Sequence, residues 1–523
     1  MAGGGNVFTT RAAFSTASAR LYFCCAVYAL GSIFFGYDGA SFGGVQAFTP
    51  FIRRFGVYNA AKHAYVLPTA TKSLMNSLPL IGKFLGSFIV SPLTEKFGHK
   101  KTMLLTCCVQ IIGPIIQVTS HSVPQFIVGR FLVYTAVGLV ENVVPTYQSE
   151  IAPAALRGFF VGSIQLCLTF GSLIAGIVNN GVSQINNDSG WQIATALQLA
   201  PAVLIIALLY FTPDSPRWLL FNDRTEEALT ELKKIRKKRD VDLGIPELEI
   251  AAMREYLEEG TKEKGSWVDL IRGTNRRRLG IACGIMIFQQ LTGVTFSSSY
   301  GPTFYKQVGL GHNAYVYAVA NNAVSVVTAF IAMILMDKFG RRTLCFHGGY
   351  TQGAFLVSVA ALSLKSHPSA TESNGVVAGM ILYNAILHAS LGPGAYITAS
   401  EVGTQSLREK TMAVSTALNV VTSFIVVFIT PYILASIGGG LAYIWAGFAF
   451  ASSVWVWFFM PELKGKALEE IDQLFEAKIP AWRFHKHETT GLSHDVAVLE
   501  SGKIQDKKLE AVEEIELAEV QKE

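Results

Sequence analysis

The chain has 523 residues, of which 50% are hydrophobic and only 15% charged, with a formal net charge of +5. Soluble domains carry roughly 25% charged residues, so this composition and a mean hydropathy of +0.36 exclude an ordinary soluble domain and point to a multi-pass membrane protein. The small net charge identifies no partner, because in a membrane protein the distribution of Lys and Arg matters more than their sum.

Residues 1–20 are small and hydroxylic, carry Arg11 and Arg20, and are followed by no cleavage site, so the expectation is a cytoplasmic tail before a first span that itself directs insertion. Apolar segments then fall at 21–45, 68–91, 103–119, 126–147, 159–180 and 191–212. A hydrophilic block, 213–278, contains the stretch Glu226–Lys238, whose acidic residues precede its basic ones as a solvated helix prefers. Six further segments follow at 279–305, 313–335, 343–364, 375–398, 411–435 and 440–460, and residues 461–523 are polar. Each segment approaches the ~20 residues needed to cross a bilayer. The expected architecture is therefore all-α, with twelve transmembrane helices in two bundles, 21–212 and 279–460, joined by a linker and followed by a tail. From His485 that tail is charged, poor in aromatics and expected to be disordered.

Loop charge sets the orientation. Glu95–Lys101, the central block, Asp337–Arg342 and the C-terminal tail are charge-rich, whereas the loops 120–125, 181–190 and 436–440 contain no Lys or Arg. The positive-inside rule places both termini and the linker in the cytoplasm, with Arg53, Arg54 and Lys62 as outer exceptions. The sequon at Asn187 then lies outside, as a glycosylation candidate. The seven cysteines (Cys24, Cys25, Cys107, Cys108, Cys167, Cys283 and Cys345) sit in or beside apolar spans without metal-ligand spacing and read as small core residues.

One span departs from the apolar pattern. Gln289–Tyr305 reads QQLTGVTFSSSYGPTFY, with two glutamines, a run of hydroxyls and the breakers Gly293, Gly301 and Pro302. Unpaired polar groups in hydrocarbon cost several kcal/mol. Such a span either lines a solute cavity or is a kink bonded to neighbouring helices. Asp38, in FFGYDG of the first span, is an ionisable group at membrane depth and functional by default, with Arg130 of the fourth span as its counter-ion.

Three motif pairs recur at nearly constant separation: Glu95 and Asp337 are 337 − 95 = 242 residues apart, Glu150 and Glu401 are 401 − 150 = 251, and Pro213 and Pro461 are 461 − 213 = 248. They imply a duplicated six-helix unit. Together SPLTEKFGHKK, SEIAPAALRG, PDSPRWLL, QQLTG, ILMDKFGRRTL and PELKGKALEEI resemble the motifs of the sugar porters of the major facilitator superfamily, over about residues 21–475. Within that family the chain resembles fungal hexose and glycoside permeases.

The resemblance implies a plasma-membrane importer of a monosaccharide, disaccharide or glycoside, driven by protons through alternating access and functional as a monomer. Non-transporting sugar sensing and carriage of a polyol or quinate-like acid remain alternatives. No enzyme, cofactor, metal or nucleic-acid partner is implied. Asp38 and Arg130 take the role of a proton-coupling pair, the alternative being a static ion pair in a facilitator. Gln165, Gln289, Gln290, Thr295, Tyr396 and Asn419 take that of sugar ligands, with Tyr300 and Phe304 as gate or stacking groups. Glu95, His99, Lys100, Glu150, Arg157, Asp337, Arg341, Glu401 and Arg408 match a cytoplasmic salt-bridge network that closes the inner face. Thr295, Tyr396 and Ser325 stand where many hexose porters carry Asn, Trp and Asn, and His99 where the family usually has Arg.

Overall fold

The structure is a computed structural model that describes residues 17–60, 63–153, 156–183, 185–259, 265–297, 314–364, 369–466 and 468–486. Helix α1 (Ala19–Ala29) is capped by Ser18, whose hydroxyl accepts the Leu21 N–H at 3.1 Å. A 3₁₀ turn at Leu30–Ser32 leads into α2 (Ile33–Val45). The short α3 (Thr49–Phe55) follows, then an antiparallel ribbon of β1 (Val57–Asn59) and β2 (Ala64–Val66). This ribbon is the one described departure from an all-helical chain. It is too short to carry a sequence signature, and its cross-strand pair Tyr58 and Tyr65 is exposed.

The first half continues with α4 (Thr69–Ser77), α5 (Pro79–Val118), α6 (Val123–Ile151), α7 (Arg157–Val182), α8 (Ser189–Ala196) and α9 (Leu199–Leu209). The linker holds α10 (Pro216–Phe221), α11 (Thr225–Ile235), α12 (Lys238–Asp242) and α13 (Ile245–Glu259). Then come α14 (Asn275–Leu291), α15 (Ala314–Phe339), α16 (Arg341–Ser363), α17 (Ala370–Ala389), α18 (Leu391–Val402), α19 (Arg408–Ile437), α20 (Leu441–Phe459) and α21 (Leu468–Glu476).

Among the described residues, ten stretches are long and apolar enough to cross a membrane. One of them, Ala70–Val118, runs for 49 residues. As one helix it would extend about 74 Å, far beyond a hydrocarbon core of about 30 Å. It breaks at Gly98 (φ +80), where the apolar segments 68–91 and 103–119 meet. Helix α16 is not among the ten, since Arg341, Arg342, His347 and Gln352 lower its hydropathy.

The two halves use one device at matching places. Gly98 (φ +80) and Gly340 (φ +92) each adopt a backbone conformation that a side chain resists. A Cβ on either would strike a carboxylate, that of Asp214 at 2.5 Å or that of Glu462 at 2.3 Å. Those carboxylates cap the helices that follow: Asp214 accepts the His99 N–H at 3.1 Å, and Glu462 accepts those of Arg341 and Arg342 at 3.0 and 3.1 Å. The acids of PDSP and PELK thus hold the turns of EKFGHKK and DKFGRR.

Small residues let the helices come close enough to bring polar groups together. A Cβ on Gly82 would meet the Phe131 carbonyl at 2.2 Å, and one on Gly138 the Lys83 carbonyl at 2.2 Å. Backbone contact of this kind is the usual basis of helix association in membranes. At the charged end, Arg236 docks the linker helices by a bidentate bond to Glu249 at 2.6 and 2.8 Å and by donation to the Ile151 carbonyl at 3.1 Å. The cysteines are free. Cys108 is exposed, which corrects the core reading there, whereas Cys167 is half-buried and packs against the cluster of Ile33, Tyr37 and Ala175.

Candidate functional site: a central polar cavity between the two halves

A cavity with about 1090 Å³ of space between atoms, the open solvent at its mouth included, lies where α2, α6 and α7 of the first half face α14, α15, α17 and α18 of the second. Its second-half wall is largely polar: Gln289 and Gln290 lie at the end of α14, Thr295 and Ser297 follow it, Asn321, Asn322 and Ser325 lie on α15, and Asn384 and His388 on α17. Gln165 of α7 faces them, and Phe35, Leu80, Val294 and Val427 supply apolar surface. Amide and hydroxyl groups both donate and accept, so this lining suits a neutral ligand bearing many hydroxyls.

The glutamines are held from behind. Asn419 donates to Gln289 Oε1 at 3.0 Å and to the Met286 carbonyl at 2.8 Å, while its Oδ1 accepts from Gln290 Nε2 at 3.1 Å. Gln289 Nε2 donates to the Gly392 carbonyl at 2.8 Å. Gln290 Oε1 is buried and has no protein partner among the described residues, which leaves an acceptor in the cavity wall for a ligand. Helix α14 ends at Leu291, and the chain turns through Gly293 (φ +90) before resuming its helical course to Ser297. That break turns Thr295 and Ser297 towards the cavity. Gln165 Nε2 lies 3.0 Å from His388 Nδ1, a polar contact across the two halves.

Asp38 and Arg130 meet at the edge of this cavity. Arg130 Nη2 donates to Asp38 Oδ2 at 2.5 Å and to the Tyr134 hydroxyl at 3.2 Å, and Nη1 to the Met75 carbonyl at 2.6 Å. Gln198 Nε2 donates to the other Asp38 oxygen at 3.2 Å. The guanidinium lies 4.0 Å over the Phe42 ring. Both ions are essentially inaccessible. Removing either would leave an uncompensated buried charge, at a cost of about 3–5 kcal/mol. Arg130 itself lines the cavity, so the pair and the ligand space share a wall.

A second buried pair escaped the sequence reading. Lys83 Nζ stands 2.8 Å from Glu141 Oε1 and 4.1 Å from the Phe35 ring centroid. Tyr396, which lines the cavity, donates its hydroxyl to the same Glu141 oxygen at 3.0 Å. The signal was available: both are ionisable residues inside predicted spans, as Asp38 is.

At the linker end, charged groups from both halves interlock. Lys410 pairs with Glu95, the Thr94 hydroxyl donates to Glu409 at 2.5 Å, and Arg408 lies 3.7 Å from Glu150. Buried His99 sits between Glu409 at 3.4 Å and Glu150 at 3.9 Å. Arg341 and Glu401, 3.1 Å apart, belong to the same half and so bind helices within it rather than across the gap.

The structure therefore brings Gln165, Gln289, Gln290, Thr295 and Tyr396 to one cavity and sets Asn419 behind it as a support. Lys100 is a correction: it donates to the Tyr210 and Thr212 carbonyls at 3.1 and 2.8 Å, because the helix turn at Gly98 aims it at the end of α9 rather than at a carboxylate. Tyr300 and Phe304 lie outside the described residues, as do the side chains of Arg157 and Asp337 and the tail beyond residue 486. Asn187 is exposed just before α8. Sequence reasoning missed Lys410 and Glu409, which lie in SLREK beside the expected Arg408, and also His388, Asn384 and Gln198.

A bundle of long apolar helices around a central polar cavity, interlocked at one end by ion pairs, is the architecture of a multi-pass membrane protein with a central ligand space. Residues 24–475 match the family described as sugar (and other) transporter, and the chain belongs to that family. Similar proteins include the major facilitator-type transporter ecdD of Aspergillus rugulosus, 29% identical over 466 residues, covering 86% of this chain and 86% of that protein. Hexose transporter HXT8 of Saccharomyces cerevisiae is 28% identical and covers 90% of this chain and 84% of its own length. Sugar transport protein 4 of Arabidopsis thaliana is 28% identical, with coverage of 88% and 91%. Among solved structures, the proton:xylose symporter XylE bound to 6-bromo-6-deoxy-D-glucose superposes with a TM-score of 0.78 at 24% identity, over 88% of this chain and 99% of that one. Its inward-open form from E. coli gives 0.66 at 24% identity, over 87% and 99%. The shared fold is that of the major facilitator superfamily.

Proposed function

We propose that the protein imports a neutral sugar together with protons, by alternating access between two six-helix halves. The observation that carries this reading is the shared wall: buried Arg130, paired with Asp38, lines the same cavity as the neutral Gln, Asn and Ser groups of the second half. Protonation of Asp38 would release Arg130 and alter the wall that the sugar meets. Occupancy of one site therefore biases the other. Relatives named as hexose and sugar transporters, and a fold shared with a proton:xylose symporter, agree with this reading.

The ten long apolar stretches become twelve crossings when Ala70–Val118 is divided at Gly98 and α16 is added. On this reading residues 21–212 and 279–460 form the two bundles. Residues 213–278 form the linker. The linker, both tails (1–20 and 461–523) and the ion-paired end face the cytoplasm of a plasma-membrane monomer. The chain is of the fungal hexose or glycoside permease type. Uptake of labelled hexoses, pentoses and disaccharides in a transport-null cell, with external pH recorded, tests the proposal. Sugar uptake with alkalinisation supports it, and a chain that reaches the membrane but moves none of the panel refutes it.

A further inference from the structure

Lys83 and Glu141 form a buried ion pair that the Asp38–Arg130 site does not use, with their side chains 1% and 5% exposed. A pair of this kind adds little stability over apolar residues of the same volume. Each ion is also costly at membrane depth. Its connections point to another use. Glu141 of α6 accepts the hydroxyl of Tyr396 from α18, in the opposite half, at 3.0 Å. The next residue, Asn142, accepts the Thr416 hydroxyl of α19 at 3.2 Å and is held by its own donation to the Gly138 carbonyl at 2.8 Å. Two consecutive residues on one helix thus grip two helices of the other half. Gly138 also sets the close approach that brings Lys83 alongside.

We infer that Lys83 and Glu141 are positioning residues that tie the Tyr396 wall of the cavity to the first half, so that the cavity is sealed towards the linker end while the Glu141–Tyr396 bond is made. This rests on the carrier reading of the cavity. The Tyr396 hydroxyl is committed to Glu141, so a bound solute meets the ring rather than the phenol. Parting the halves at the linker end separates α6 from α18 and leaves Glu141 with Lys83 and entering water. The pair therefore acts as a latch inside the protein, distinct from the ion pairs at its charged end.

Tyr396→Phe removes the hydroxyl and keeps the ring. Labels at the exposed positions Lys101 and Lys338, one in each half at the charged end, report its opening by pulsed electron spin resonance, with exposed Cys108 replaced by serine. The expected result for Tyr396→Phe is about a tenfold rise in the open-to-closed ratio, the effect of losing one hydrogen bond to a charged group. The neutral replacement Lys83→Met/Glu141→Leu, which leaves no buried charge unpaired, is expected to give the same rise. Combining it with Tyr396→Phe should add nothing further. An unchanged distance distribution in Tyr396→Phe, or effects that add in full, would overturn the latch. The measurement needs no solute. Failure of the parent chain to carry sugar would count against the proposed function and leave this result standing.

Discussion

The two halves of the molecule share a helical plan but differ in what they bring to the cavity. The first half sets buried ions at it, Arg130 with Asp38 and, through Tyr396, Glu141 with Lys83, whereas the ions the second half buries, among them Arg278, Arg341, Glu401 and Arg408, lie outside the cavity lining. The second half lines the cavity with amides, hydroxyls, His388 and the apolar Val294 and Val427, and with no carboxylate, Lys or Arg among its described lining residues. Charged pairs at membrane depth can be made and broken by a proton, whereas amides are indifferent to pH and read hydroxyl patterns. On the proposed function, the contrast gives the proton to one half and the sugar to the other, with the cavity as their meeting place.

The strongest way to break this comparison is to unbalance the charged half. Arg130→Gln strands the Asp38 carboxylate and is expected to destabilise the protein by about 3–5 kcal/mol. Asp38→Asn/Arg130→Gln should recover most of that loss, and thermal unfolding in detergent compares the two. Equal stability of the single and double variants would show that the ions do not depend on each other.

In the neutral half, Gln290→Ala removes the free cavity acceptor and also the bond to Asn419. It is expected to weaken apparent sugar affinity by about 10- to 100-fold, as for the loss of one or two ligand hydrogen bonds, with the pH dependence of uptake unchanged. A shifted pH profile would erase the division between the halves. Thr295→Asn lengthens a polar group beside Gln290 and should alter the preference among hexoses by several-fold, read from competition assays. At the charged end, His99→Arg puts a permanent charge between Glu150 and Glu409. It should raise the closed population by about a few-fold at most, because the desolvation of a buried guanidinium offsets most of its attraction to the two carboxylates. Labels at Lys101 and Lys338 measure it, and an unaltered ratio would remove His99 from the gate.

Much of this was legible in the chain. The apolar segments, the matched motifs and the polar break after Gln289 follow from local composition, which one-dimensional reading captures. Asp38 and Arg130 stood out because ions in apolar spans are rare. Their further partners, Gln198 and the Met75 carbonyl, depend on helix rotation and closeness, which no spacing reveals. The same holds for the cross-half contacts: Glu95 and Lys410, or Glu141 and Tyr396, are brought together only by the packing of halves far apart in sequence. Asn419 was expected among the sugar ligands, but which amide faces the cavity and which stands behind it is a matter of one helix's rotation.

The central claim is that the buried carboxylate of the first half carries the proton for a sugar held mainly by the second. Asp38→Asn in proteoliposomes tests it most directly, with sugar counterflow and uptake driven by an imposed pH gradient measured on the same preparation. Counterflow that persists while gradient-driven accumulation is lost is the result this account predicts. Accumulation equal to that of the parent protein, with the same pH dependence, would contradict it.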